Sequence, residues 1–531
     1  MQTNILEWLE KRCRQTPDKI AFGDRQDSLS YAQTAAASKR LACGLKNALE
    51  QSRAAASPEN AYPHTAPDSA PGNAGGNIGS VAIYMDKTVH TLCGMFGVVY
   101  AGGYYSNIDT QFPSERVTEI LKSLKPAAIL TDAAHYPEAC SRFSGYAPVL
   151  SYDLLQESSI DEPWLAHVRS MHCDTNPLYC NFTSGSTGTP KGVLVSHRSV
   201  IDFISIFVEE FGIGEQDILA NQAPLDFDVS VKDIFSGMAA GARVQLIPRE
   251  YFSTPVDLMD YLDDTEATIL IWAVSAMCFV STMRGFQYKV PHRLRQVMFS
   301  GEVMPIKQLQ IWKKYLPDAV YVNLYGPTEI TCNCTYYRLK EEDFQRDSIP
   351  IGKPFKNEKV FLLDEEQRLV ADAGQTGEIC VSGSCVAVGY LNRLDSKEFT
   401  QHPCNTSYYE RIYRTGDLGY WCKDGNLMYV GRKDFQIKHL GHRIELREIE
   451  RCCEAMPEDG VARSCCIYYK QKQRLLLFYE GAAQEEDVHK LLADRLPHFM
   501  LPNNIVRISQ MPMNKNGKID RDRLLQIFLK R

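Results

Sequence analysis

From Val81 to Trp272 short apolar runs alternate with stretches of helical periodicity, and that alternation restricts the possible folds more than any other feature of the chain. Val81-Ala-Ile-Tyr-Met85 and Ala127-Ala-Ile-Leu-Thr131 read as buried strands, with a helix from His90 to Tyr100 that ends at Gly102-Gly103. Arg243-Val-Gln-Leu-Ile247 and Ala267-Thr-Ile-Leu-Ile-Trp272 continue the pattern. Strands that are apolar along their whole length suit a sheet covered on both faces. The alternation therefore predicts an α/β fold with largely parallel sheets. After about Gly374 the strands shorten and Gly-rich turns multiply, which predicts a β-rich subdomain. From Asp434 the pattern resets to a small α+β unit, with Arg447 to Met456 as a helix. The expected organisation is a large N-terminal domain over residues 1–433, followed by a small, mobile C-terminal domain over 434–531. Residues 51–80 are rich in Ala, Ser, Pro, Asn and Gly and cannot bury enough apolar surface to offset their ordering entropy. They read as a disordered insertion in the large domain.

With 531 residues the chain is too long for one compact core. Its formal net charge of −7 argues against nucleic-acid binding by bulk electrostatics. No run of about eighteen apolar residues occurs, so no membrane span is expected. The 17 cysteines are odd in number and follow no export signal, which points to reduced thiols in a cytoplasm.

The most informative stretch chemically is Asn181-Phe-Thr183-Ser184-Gly185-Ser186-Thr187-Gly188-Thr189-Pro190-Lys191-Gly192. Glycines let a backbone approach an anion and turn its N–H groups inward, hydroxyls add donors, and Lys191 adds charge. Together they form a phosphate cradle. It is not a Walker A loop, because Pro190 stands where the second glycine belongs. On composition alone a flexible linker is the alternative.

This stretch resembles the phosphate loop of the adenylate-forming superfamily, which includes acyl-CoA synthetases, luciferases and peptide-synthetase adenylation domains. Asn323-Leu-Tyr325-Gly326-Pro327-Thr328-Glu329 is similar to that family's nucleotide and magnesium motif, and Tyr413-Arg-Thr415-Gly416-Asp417 to its ribose motif. Gly431-Arg432-Lys-Asp434-Phe-Gln-Ile-Lys-His-Leu-Gly441 resembles the hinge motif, and Asn516-Gly517-Lys518 the C-terminal catalytic-lysine motif. Ala101 to Asp109 is a looser match to an early structural motif. The motifs follow the family's order and span nearly the whole chain.

The resemblance implies the site residues. Thr183, Ser184, Gly185, Ser186, Thr187, Gly188 and Lys191, with Asn323, Tyr325, Gly326, Asp417 and Arg432, would bind ATP. Thr187 and Glu329 would be ligands of Mg²⁺. Thr328 would donate to the α-phosphate, Tyr325 would offer a ring face to adenine, and Asp417 would accept the ribose hydroxyls. Lys518 would bring a positive charge to the reacting carboxylate and α-phosphate, and with Thr328 and Glu329 makes the catalytic set. Asp434 would be a hinge between two half-reactions, and Gly441 would line the channel of the incoming thiol.

Leu225-Asp-Phe227-Asp228-Val229-Ser230-Val-Lys232-Asp233 resembles the family's acyl-pocket motif. Family members that activate α-amino acids carry an aspartate at the position of Asp228, where it pairs with the substrate ammonium. A buried ammonium needs such a partner on physical grounds. The resemblance places Phe227, Asp228, Val229, Lys232, Ala273, Met298, Ser300, Gly301, Leu324, Cys332 and Asn333 around the substrate. Ser300 and Leu324 suit a small polar amino acid, which ranks first, and an acidic one ranks second. Lys232 departs from the usual neutral residue. It either enters the pocket and meets a substrate carboxylate or pairs with Asp233 or solvent outside it. Val297 to Pro305, with the hinge motif, is most similar to the D-alanine:D-alanyl carrier protein ligase branch.

The expected activity is ATP-dependent activation of an amino acid as the aminoacyl-adenylate, followed by transfer to the phosphopantetheine thiol of a carrier protein. No Gly-Gly-x-Ser phosphopantetheine site follows Lys518, so a separate carrier protein is the expected partner. The alternatives are an acyl-CoA ligase that shares the first half-reaction and a non-catalytic binding protein of the same fold.

Overall fold

A computed structural model describes residues 2–55, 78–185, 190–393, 396–434, 436–456, 460–513 and 519–530. The sheet that carries most of the candidate site has nine strands. Its centre is built from β1 (Ile218–Asn221), the helix α1 (Val229–Ala240), β2 (Arg243–Leu246), β3 (Ile269–Ala273), β4 (Gln296–Ser300) and β5 (Val320–Tyr325). Strand order runs β5-β4-β3-β1-β2, all parallel. Thr335–Arg338 and Lys353–Pro354 extend it antiparallel beyond β5, and Ile20–Gly23 and Ser28–Ser30 complete the far edge. Every residue of β3 and β4 is buried, which explains why both runs are apolar without alternation. The Trp272 indole lies fully buried in β3, and its Nε1 donates to the carbonyl of Ala220 at 2.9 Å.

A second sheet of seven strands has Ser80–Tyr84 between Tyr104–Asn107 and Ala128–Thr131, parallel to both. The connecting helix Val89–Tyr100 starts at Thr88, whose hydroxyl accepts from the Thr91 N–H at 3.4 Å. Both sheets bear out the α/β expectation. A third sheet of five strands is antiparallel: Glu358–Leu363, Thr376–Gly383, β6 (Arg411–Trp421) and Phe399–Gln401, with β7 (Leu427–Arg432) paired to β6. Along β6 buried positions alternate with half-buried ones, as a sheet with one covered face requires.

After Lys433 come a hairpin of β8 (Gln436–His439) and β9 (His442–Glu445), the helix α2 (Leu446–Glu454) and a three-stranded sheet. In that sheet Arg463–Tyr469 pairs antiparallel with Arg474–Glu480, which pairs parallel with Asn504–Arg507 through the crossover helix Glu485–Arg495. Ile444, Ile449, Cys453, Leu477, Val488 and Leu492 share one core there.

By contacts the chain forms two compact units. One comprises Met1–Thr110, Leu124–Asn181 and Gly192–Lys433; the other comprises Gln111–Ser123, Phe182–Lys191 and Asp434–Arg531. Gln51–Ala55, read from composition as insertion, instead end the helix Tyr31–Ala55, and Ser80 opens a strand. The rest of that segment, residues 56–77, lies outside the described residues. Among the described residues no helix is long and apolar enough to cross a membrane. All 17 cysteines are free thiols.

Candidate active site

Strand register brings together residues expected on the acyl side of the site. Ala273 pairs with Ser300, and Ser300 with Leu324, so three predicted pocket residues form one row across the C-terminal ends of β3, β4 and β5. Ligands of open α/β sheets bind at such ends. Met298 shares the face of Ser300 because alternate residues of a strand point the same way, and Gly301 follows the strand. Phe227, Asp228 and Val229 lead into α1. The Phe227 carbonyl accepts from the Ser230 hydroxyl at 2.7 Å, and Asp228 and Val229 are buried.

The chain after β5 turns back sharply. Thr331 and Cys332 both take left-handed φ, 54° and 75°. Such a backbone is costly for residues with a Cβ and persists only where its surroundings hold it. Here the Thr331 hydroxyl donates to the Cys385 carbonyl at 2.7 Å, and the Cys332 thiol to the Asp228 carbonyl at 3.1 Å. The return brings Asn333 so close to Gly326 that a Cβ there would lie 2.5 Å from the Asn333 Cα, which explains the glycine.

Within this frame Lys232 is 1% exposed, and its Nζ donates to Asn333 Oδ1 at 2.7 Å and Ser300 Oγ at 3.3 Å. The side chain does not reach solvent, and the hydrogen-bond acceptors on its Nζ are the neutral groups of Asn333 and Ser300. Burial lowers its pKa, and the nearby Asp228 and Asp233 carboxylates act against that shift. Asp233 instead accepts from Asn221 Nδ2 at 2.8 Å. Burial pushes the Asp233 carboxyl up to about 7, opposed by that amide bond and by the charges of Lys232 and Lys87.

The second cluster contains residues predicted for the nucleotide. The buried Tyr325 hydroxyl donates to Asp417 Oδ2 at 2.6 Å, and Arg432 Nη1 meets Asp417 Oδ1 at 2.6 Å. The register of β6 with β7 sets Asp417 opposite Arg432. Burial, with Asp417 beside it, keeps the Tyr325 hydroxyl protonated far above its ordinary range. A carboxylate has about four lone-pair sites, so Asp417 retains acceptor capacity beyond these two bonds. Asn323 Nδ2 donates to the Pro350 carbonyl at 2.8 Å. Glu329 is fully buried, with Oε1 accepting from the Tyr390 hydroxyl at 2.8 Å, and Thr328 beside it is half-buried.

The AMP-binding enzyme family model matches residues 74–391. The chain belongs to the AMP-binding enzymes. Zwittermicin A synthase ZmaJ of Bacillus cereus is 31% identical over 538 residues, covering 98% of this chain and 94% of that protein. L-proline--[L-prolyl-carrier protein] ligase of Streptomyces coelicolor is 32% identical over 471 residues, 84% of this chain and 86% of that one. Among solved structures, a holo NRPS protein containing adenylation and PCP domains, bound to a vinylsulfonamide inhibitor, superposes with a TM-score of 0.79. It is 22% identical and covers 99% of this chain and 84% of its own, a likeness of fold. The resemblance to adenylate-forming enzymes read from the motifs is thereby confirmed.

The structure of this AMP-binding enzyme joins Asp228, Lys232, Ser300, Cys332 and Asn333 in one cluster and Tyr325, Asp417 and Arg432 in another. Thr183, Ser184, Gly185 and Lys191 fall in the second compact unit. The Thr183 hydroxyl is buried without a hydrogen-bond partner among the described residues, and the Ser184 hydroxyl donates to the Arg443 carbonyl. Ser186, Thr187, Gly188 and Lys518 lie outside the described residues. Asp434 begins the last segment of that unit, and its Oδ1 accepts from the Gln436 N–H at 3.2 Å. Gly441, at φ 82°, is a turn residue of the β8–β9 hairpin. Sequence reasoning missed Tyr390 as the partner of Glu329 and Asn221 as the partner of Asp233. Nothing in local spacing links Glu329 to a residue 61 positions away.

Proposed function

We propose that this AMP-binding enzyme activates an α-amino acid as its aminoacyl-adenylate, releases pyrophosphate and transfers the aminoacyl group to the phosphopantetheine thiol of a carrier protein. The observation that carries the reading is Asp228, a carboxylate 8% exposed at the entry of α1, one helical turn before Lys232, whose Nζ donates to Ser300 in the row with Ala273 and Leu324. A carboxylate in that environment matches an ammonium, and a fatty or aryl acid has none to offer. The Streptomyces relative, an L-proline--[L-prolyl-carrier protein] ligase, supports the carrier as acceptor.

In the first step a substrate carboxylate oxygen attacks the α-phosphorus of ATP, the bond to the bridging oxygen breaks, and pyrophosphate leaves. The nucleophile is already ionised, so no general base is needed, and catalysis consists of positioning and charge neutralisation. Asp417, oriented by Tyr325 and Arg432, keeps lone pairs for the ribose hydroxyls. The Thr183 hydroxyl, which has no partner among the described residues, suits a phosphate oxygen, as do the N–H groups of a Gly-rich loop. Glu329 offers the hard oxygen that Mg²⁺ prefers, and Mg²⁺ when bound neutralises phosphate charge. Lys518 is the residue we assign, from its motif, to supply a positive charge to the reacting carboxylate.

Asp228→Ala tests the reading. Removing the partner of a desolvated ammonium costs about 3–5 kcal/mol, so KM for the amino acid should rise by orders of magnitude while KM for ATP changes little. Equal effects on both KM values, measured by pyrophosphate exchange, would contradict the role of Asp228.

A further inference from the structure

We infer that the Lys232 ammonium, held by Ser300 and Asn333, receives a carboxylate on the side chain of the amino acid, so that this chain activates an acidic amino acid in preference to a neutral one. The inference rests on the proposed amino-acid activation and names its substrate class. It reverses the order in which Ser300 and Leu324 alone rank the substrates.

An ammonium has three N–H donors. Two meet Asn333 Oδ1 at 2.7 Å and Ser300 Oγ at 3.3 Å, and the third has no acceptor among the described residues. Both acceptors are neutral. At 1% exposure water does not screen the charge. A buried cation whose hydrogen-bond acceptors are all neutral is costly, and a ligand carboxylate on the open donor would offset that cost. The Asp228 and Asp233 carboxylates act on Lys232 through space and oppose the effect of burial, but neither occupies the third donor, and Asp233 accepts from Asn221 at 2.8 Å.

The placement of Lys232 points the same way. Ser300 belongs to the row with Ala273 and Leu324, and Asn333 follows the left-handed return at Thr331 and Cys332. The groups that grip the ammonium are thus among those the proposed activation assigns to the acyl site. Asp228 lies four residues before Lys232, one helical turn away at the start of α1. An acidic amino acid presents a matching pair, with its ammonium for Asp228 and its side-chain carboxylate for Lys232. The α-carboxylate is left to react, and the other two charged groups of the substrate each meet a group of opposite sign. Asparagine or glutamine offers an acceptor without the charge, and serine or alanine leaves the third donor empty.

The experiment is ATP–pyrophosphate exchange by the full chain over both enantiomers of aspartate, glutamate, asparagine, glutamine, serine and alanine. One acid should exceed its own amide by about 100-fold in kcat/KM, the scale of losing a charged partner from a dry site. Lys232→Met should lower kcat/KM for that acid to the level of its amide, abolishing the preference. A wild-type preference for a neutral amino acid over both acids overturns the inference and leaves amino-acid activation standing. So does an undiminished acid preference in Lys232→Met. Absence of exchange with every amino acid overturns the proposed activation itself. The wild-type comparison needs no variant to fold, and isothermal calorimetry of the preferred acid on both proteins reads binding apart from turnover.

Discussion

At the scale of single residues, three buried charges surround the first turns of α1: Asp228, Lys232 and Asp233. Asp233 makes a prediction about pH. Its carboxyl is pushed up to about 7 by burial, against the Asn221 amide and the charges of Lys232 and Lys87. In the unfolded chain an aspartate titrates near 4. Between about pH 4 and 7 the folded protein therefore holds a proton that the unfolded chain releases. The contribution of this group to stability is complete below that window, falls as pH rises through it, and is flat above it. Asp233→Asn should remove the fall, so the variant should gain stability relative to wild type from pH 4 to 7. Chemical denaturation midpoints across that range check this, and a constant difference between the two proteins would contradict it.

At the scale of elements, the β8–β9 hairpin sharpens what Gly441 can test. His439 pairs with His442, leaving Leu440 and Gly441 as a two-residue loop with φ of 52° and 82°. Two positive φ values are the mark of a type I′ turn, which favours Gly or Asn at these places. Gly441→Leu would strain the turn wherever the thiol travels. Gly441→Asn tolerates the backbone and still adds a side chain, so it separates the roles. We expect Gly441→Asn to keep thermal stability and pyrophosphate exchange near wild type and to reduce thioester formation several-fold. Normal thioester formation would remove Gly441 from the thiol channel. Elements of this kind were partly legible in advance. Strands such as Val81 to Met85 and the helix from His90 were readable because apolar runs and helical periodicity are local, and the structure moves their ends by a residue or so. The left-handed return at Thr331 and Cys332 was not readable. Neither residue type favours that backbone, which rests on contacts with Cys385 and Asp228 far along the chain. The orientation of Lys232 was undecided for the same reason, because its partners stand 68 and 101 positions away.

At the scale of the whole molecule, Asp434 begins the long C-terminal segment of the second compact unit. Under the function proposed above one site serves both adenylation and attack by a tethered thiol, and we propose that Asp434 is the hinge between the two half-reactions. Lys518 would act in the first state alone. Lys518→Ala should thus lose adenylate formation by orders of magnitude and retain most transfer from a supplied aminoacyl-adenylate. Parallel loss of both half-reactions in a folded variant would count against alternation. The family membership holds for amino-acid and non-amino-acid substrates alike, so the central claim is that an α-ammonium is read at Asp228. The most direct test is pyrophosphate exchange with matched pairs that differ only in that group, each amino acid beside its des-amino acid. Exchange should be robust with the preferred amino acid and fall at least about 100-fold with its des-amino partner, as loss of a buried charge pair demands. Equal exchange with both, or exchange with des-amino acids alone, would contradict the account.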